Sequence, residues 1–206
     1  MCRTVYSDNL TVRYNISYND GANDETPIIG VCIGPSYTMP VGLNPPDIDN
    51  NTIYLSAGRT TPIFAACGVS NTDAPTINGL AYIYDNIFYV LGTTSYPLFN
   101  GTIFDFNTYY APAYSADRPL NEPCSPGTNI CDLVDNHKLT SDPQFVNAGP
   151  VRRGMAGVNG LKLKAGSDAL ASGYNSGYLG PHDYWGNAIS TTTAPNRGAY
   201  DGPGLP

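Results

Sequence analysis

One local phrase recurs four times along this chain: an aliphatic or aromatic residue, an Asn three positions on, and a Tyr three beyond that. It runs through Val12, Asn15 and Tyr18, then Ile48, Asn51 and Tyr54, then Ile83, Asn86 and Tyr89, and lastly Phe104, Asn107 and Tyr110. Unequal spacing between the repeats suits coils that share one rung and differ in the loops that leave it. A short β-rung cannot bury its apolar face alone, so the phrase predicts a solenoid, with like side chains superposed at the strand spacing of about 4.8 Å. Asn suits the bend because its amide both donates and accepts, so a column of Asn can bond rung to rung.

Composition agrees with a β-rich, loop-rich chain. Only 13% of the 206 residues are charged, while Gly (22), Pro (18) and Tyr (16) are abundant, and no stretch combines helical periodicity with helix-forming composition over ten or more residues. A net charge of −7 with lysine only at Lys138, Lys162 and Lys164 argues against nucleic acid, whose phosphates need a basic face. No apolar run is long enough to span a membrane.

The first residues, Met1 to Val12, lack the pattern of a signal peptide. Other features read as extracellular or cell-surface. Asn9, Asn15, Asn50 and Asn100 begin glycosylation sequons, and Cys124 and Cys131 bracket a tight loop. A disulfide there would contribute about 2 to 3 kcal/mol by the chain-entropy argument. Asn15 carries two incompatible readings, glycan acceptor and buried ladder residue. Five Cys leave one unpaired if oxidised: Cys32 and Cys67 could pair across neighbouring coils with Cys2 left over. The alternative is buried free thiols in a reduced compartment.

After Tyr110 the phrase stops, and residues 111–136 read as a long surface excursion holding the Cys loop. The remainder carries four motifs in order. They are His137 through Asp142-Pro143, Phe145 and Val146; Leu161, Leu163, Gly166-Ser167 and Gly173; Asp183, Trp185-Gly186-Asn187; and Asn196, Gly198-Ala199-Tyr200. Together they resemble the closing segment of secreted right-handed parallel β-helix proteins of the pectin-lyase-like group. Asp168 stands where that group commonly has Pro, and Ser172 lies in a stretch where it has a second acid.

The resemblance implies an all-β, right-handed parallel β-helix with long loops and a C-terminal capping segment. Residues 1–136 would be coils that start inside a rung, as in an N-terminally truncated β-helix. Residues 137–206 would be the last coil and the cap of the same single domain. Read physically, Phe145 and Val146 begin a strand, Leu161 and Leu163 alternate with Lys162 and Lys164 as in a half-buried strand, and the glycines allow tight turns across the end of the stack.

Two residues before each repeated Asn stand Arg13, Asp49, Tyr84 and Asp105. They point away from the core positions and should form one outward stripe. Such a stripe suits an extended polysaccharide, with Arg13, Tyr84 and Asp105 as binding residues. Asp49 and Asp105, two rungs or roughly 9 to 10 Å apart, are the candidate catalytic carboxylates. The competing reading is a solvated face with charge pairing between rungs. Tyr18, Tyr54, Tyr89 and Tyr110 make a second column, either an outward sugar platform or an aromatic ladder packed inward.

His137 and His182 have no metal-motif partners at suitable spacing, and turn-satisfying roles are expected for both. The residues imply no cofactor or metal; the resemblance implies Ca²⁺ in lyases of this fold class. It also implies a basic residue that takes the proton beside a uronate carboxylate, for which Arg152, Arg153, Lys162 and Lys164 are the available side chains. The functional expectation is a secreted glycan-interacting β-helix related to polysaccharide lyases and glycoside hydrolases. The alternative is a non-catalytic carbohydrate-binding or adhesion β-helix.

Overall fold

A computed structural model describes residues 10–20, 28–32, 46–61, 63–67, 81–94, 102–114, 134–149 and 155–206, with backbone alone for 29–32, 64–67, 102, 155 and 156. The structure is nearly all β. Its strands are β1 (Thr11–Arg13), β2 (Ile16–Tyr18), β3 (Ile29–Cys32), β4 (Asp47–Asp49), β5 (Thr52–Leu55), β6 (Phe64–Cys67), β7 (Ala81–Tyr84), β8 (Ile87–Val90), β9 (Thr102–Asp105) and β10 (Thr108–Tyr110). Helix among the described residues is confined to one short α-turn, α1 (Met155–Val158), and the 3-10 turn Asn159–Leu161 that follows it. No helix among them is long and apolar enough to cross a membrane.

Every strand pairing within the sheets is parallel. The first sheet has the order β1-β4-β7-β9, the second β10-β8-β5-β2, and the third joins β3 to β6. Successive passes of the chain therefore add one strand to each of the first two sheets in turn, and the first two passes also supply the third. Strands of three or four residues bury little individually, and pairing with equivalent strands is what satisfies both their backbone and their apolar face.

The repeated phrase is the corner between the first and second sheets. Tyr14, Asn50, Asp85 and Phe106, each just before a ladder Asn, hold φ of 53°, 50°, 57° and 55°. One left-handed residue per pass turns the chain sharply without a longer loop. The backbone cost at these non-glycine positions is met by the column beside them. Asn15 Nδ2 donates to Asn51 Oδ1 (3.1 Å), Asn51 Nδ2 to Asn86 Oδ1 (3.0 Å) and Asn86 Nδ2 to Asn107 Oδ1 (3.0 Å). The last amide, Asn107 Nδ2, donates to Asp135 Oδ2 at 3.0 Å. A carboxylate accepts but does not donate when ionised, so Asp135 is a chemically fitting end to the column.

Two apolar clusters flank the second sheet. Ile53, Leu55, Phe88, Val90 and Tyr109 join Ile48, Ile83 and Phe104 of the first sheet in one core. The alternate residues Tyr54, Ile87 and Tyr89 pack instead with Phe145, Leu161, Leu163 and Tyr200 of the C-terminal segment. The tyrosine column is stacked, with ring centroids 4.9, 5.0 and 4.8 Å apart from Tyr18 through Tyr54 and Tyr89 to Tyr110. Its middle members Tyr54 and Tyr89 are buried and Tyr18 and Tyr110 half-buried, on the far side of the sheet from the first core and against the tail.

That placement revises the expected role of residues 137–206. Only their start closes the stack end-on: Leu139 bridges Thr108, and Tyr109 N donates to Leu139 O at 2.7 Å. The rest lies along the side of the second sheet and its corner. Asn50 Nδ2 donates to Asn196 O (2.8 Å), Gly198 N to Asp85 O (2.7 Å) and Arg197 Nη1 to Asn107 O (2.8 Å). Leu161 and Leu163 are buried between half-buried lysines as expected, yet Leu161 closes a 3-10 turn and the expected strand is reduced to isolated bridges such as Phe145 with Leu163.

Candidate functional site

The outward face of the first sheet carries two registered columns. Thr11, Asp47, Tyr82 and Ile103 are successive Cα partners, and so are Arg13, Asp49, Tyr84 and Asp105. The stripe read from the sequence is thus brought together, residue for residue. Its exposure is not uniform. Tyr82 and Ile103 are exposed and Tyr84 is half-buried, whereas Asp49 is fully buried.

The tail produces that difference. Tyr174 N donates to both Asp85 carboxylate oxygens, at 2.8 and 3.0 Å, which pins residues 173–175 against the corner. The Tyr174 ring then stands edge-on to Tyr84, 6.1 Å away, and remains half exposed. Beyond it, Arg13, Asn175, Tyr178, Leu179, Ile189 and Thr191 are among the residues lining a cavity of about 390 Å³. Tyr178 is the most exposed large hydrophobic residue there.

Electrostatics follow from the same covering. Arg13 Nη2 lies 3.2 Å from Asp49 Oδ2, and burial pushes the Asp49 carboxyl up to about 7 against the pull of that guanidinium. Burial also raises Asp85, to about 8, despite its bond from Tyr174 N. Tyr84 is raised as well, chiefly by burial and then by the charge of Asp49. These acids lie where ionisation is disfavoured.

Neither Asp49 nor Asp105 is a free surface carboxylate. The first is fully buried beside Arg13, and the second is engaged by a residue that the sequence reading assigned to a turn. His137 Nδ1 lies 2.8 Å from Asp105 Oδ1, and the imidazole stacks on Phe106 with centroids 4.1 Å apart. Linear spacing gave no hint of this dyad, because 32 residues separate its members. His182 sits in an exposed bridge with Ala188.

Asn50 cannot be the expected glycan acceptor in this fold. Its Nδ2 is committed to Asn196 O and its side chain is fully buried. Asn15 Nδ2 is likewise used, donating to Arg13 O and Asn51 Oδ1. Cys32 and Cys67 are Cα partners across β3 and β6. Asn9, Asn100, Cys2, Cys124, Cys131, Arg152 and Arg153 lie outside the described residues. Lys162 spreads its ammonium over Trp185 and Tyr200, 5.5 and 5.9 Å from their ring centroids, within the tail and away from the stripe. Among the described residues, no cluster of three or more His, Cys, Asp or Glu is placed to hold the Ca²⁺ that the resemblance implies.

No family model matches the chain, and no curated protein matches it in sequence.

Proposed function

We propose that the chain is a right-handed parallel β-helix of the pectin-lyase-like kind, extracellular or at the cell surface, and that the outer face of its first sheet binds a glycan. The observation that carries this reading is the registered outward face, on which exposed Tyr82 and Ile103 stand beside the column Arg13, Asp49, Tyr84 and Asp105. Half-exposed Tyr174 continues the aromatic surface at the side. Rings that are apolar on the face and polar at the rim suit sugar rings, which offer C–H patches between hydroxyls. Repetition at the strand spacing suits an extended polymer rather than a compact ligand.

Within this reading, binding without cleavage is favoured over hydrolase activity. Asp49 is buried and Asp105 is paired with His137, so the face lacks two free carboxylates across a bond to be cut. The test is retention of the whole protein in gels containing soluble polysaccharides, with reducing ends and unsaturated uronate followed in parallel. Retention is expected without either product, and Tyr82→Ala should reduce it while leaving the far-UV circular dichroism unchanged. Undiminished retention of that variant would remove the face from consideration, and product formation would overturn the non-catalytic reading.

A further inference from the structure

His137 is held more firmly than an exposed side chain needs to be. Its backbone N donates to Asp135 Oδ1 at 3.2 Å, and its carbonyl accepts Arg197 Nη1 at 2.8 Å. Asp105 fixes Nδ1 and Phe106 lies flat against the ring. Even so, the side chain is 55% exposed, and Nε2 has no hydrogen-bond partner among the described residues. An ion pair at such exposure contributes little to stability, so stability alone does not account for an imidazole held on one edge and one face above an anchored backbone.

The chemistry of the open edge follows from the bonded one. An ionised carboxylate can only accept, so the proton of the neutral ring lies on Nδ1, and Nε2 presents a lone pair to solvent. Tyr174 offers a half-exposed ring 5.7 Å from Phe106. The imidazole and the Tyr174 ring thus share Phe106 as a neighbour. The charged groups around them are unequal: Asp105 is half-buried, Asp135 and Asp85 are buried, and Arg197 is buried with its donors on the carbonyls of Asn107, His137 and Ser172. Lys138 is the next residue along the chain and is half-buried.

We propose that His137 and Tyr174 form a saccharide subsite selective for neutral sugars, with Asp105 as the positioning residue that sets the tautomer. A sugar hydroxyl donates to Nε2 while the ring packs on Tyr174. A uronate carboxylate brings an acceptor to an acceptor and meets the charge of Asp105. This subsite rests on the glycan-binding reading and adds to it the class of sugar.

The experiment follows the imidazole nitrogens of the two His in the ¹⁵N-labelled whole protein, in mildly alkaline buffer. Cellohexaose, xylohexaose, mannohexaose and hexagalacturonate are added in turn. At least one neutral oligosaccharide should shift His137 Nε2 and leave His182 unmoved, with hexagalacturonate binding about tenfold more weakly. His137→Ala and Asp105→Asn should each weaken the neutral ligand roughly fivefold to tenfold. In Asp105→Asn the Nδ1 resonance should also report the lost tautomer preference, which a merely structural role would not produce. Equal or tighter binding of hexagalacturonate overturns the proposal, as does neutral binding that leaves His137 unmoved; in either case the glycan-binding face survives. Absence of binding by every oligosaccharide, together with no retention by polysaccharide, overturns the face and the subsite together.

Discussion

Asn86 shows why one residue type can hold a corner. Its Nδ2 lies within hydrogen-bond reach of Ile48 O (2.8 Å), Tyr84 O (2.9 Å) and Asn107 Oδ1 (3.0 Å), and its Oδ1 accepts from Asn51 N and Nδ2. Removing the amide leaves buried carbonyls and an N–H without partners, and each such loss costs about 1 to 3 kcal/mol. Asn86→Ala should therefore lower stability by about 3 kcal/mol in urea unfolding, whereas the same change at exposed Asn15 should cost about 1 kcal/mol. Equal losses at the two positions would mean that burial does not set the worth of the column. The buried acids give a second prediction. Burial raises Asp49 and Asp85 from the usual 3.8 to about 7 and about 8, so the folded state holds protons that the unfolded chain has released. Their contribution is full below pH 3.8 and is lost as pH rises through about 7 and about 8, with a slope of up to roughly 1.4 kcal/mol per pH unit for each group. The thermal midpoint should fall from weakly acidic to weakly alkaline buffer, and Asp85→Asn should flatten that fall. A midpoint rising with pH over this range would contradict the assignment.

The elements divide according to how local their causes are. Ladder, corner and column register were legible, because Val12, Asn15 and Tyr18 state the whole unit within seven positions and its repeats superpose by parallel pairing. The covering of the second sheet was not deduced, although the run Ile87-Phe88-Tyr89-Val90 carried a signal. A strand apolar at every position is one buried on both faces, and all four residues are buried. What no local pattern states is which distant segment supplies the cover. The stretch Asn196-Arg197-Gly198-Ala199 does so by approaching the corner backbone closely. Gly198 has φ of 83°, and a Cβ there would lie 2.6 Å from Ile87 Cδ1 and 2.8 Å from Thr52 Oγ1. Gly198→Ala should thus impose both backbone strain and overpacking, costing about 2 to 4 kcal/mol in urea unfolding. The tyrosine column would then be uncovered, and binding of a hydrophobic dye should rise. Wild-type stability in that variant would show that the tail is not seated on the corner.

At the scale of the whole molecule, the site was half legible for the same reason that the fold was. Alternation along β1, β4, β7 and β9 fixed which residues face outward, but exposure depended on the tail docking at Asp85 and against Tyr84, and the partner of Asp105 came from beyond the last strand. Both are consequences of tertiary covering, which carries no periodicity. The same covering ranks the strands by stability. β5 and β8 are interior in their sheet and buried at every position, while β2 lies at the end of the sheet order and is only half-buried. In a stack of short strands, each held by its neighbours, local opening is cheapest where neighbours and cover are fewest. Amide hydrogen exchange should therefore be slowest at the ladder-bonded amides of β5 and β8, among them Ile87 N, which donates to Asn51 O at 2.9 Å. The ladder-bonded amides of β1 and β2 should exchange at least about tenfold faster, since roughly 1.4 kcal/mol of additional opening free energy suffices for that factor. If β2 proved as protected as β5, opening would be governed by global unfolding alone, and position in the stack would have no bearing on local stability.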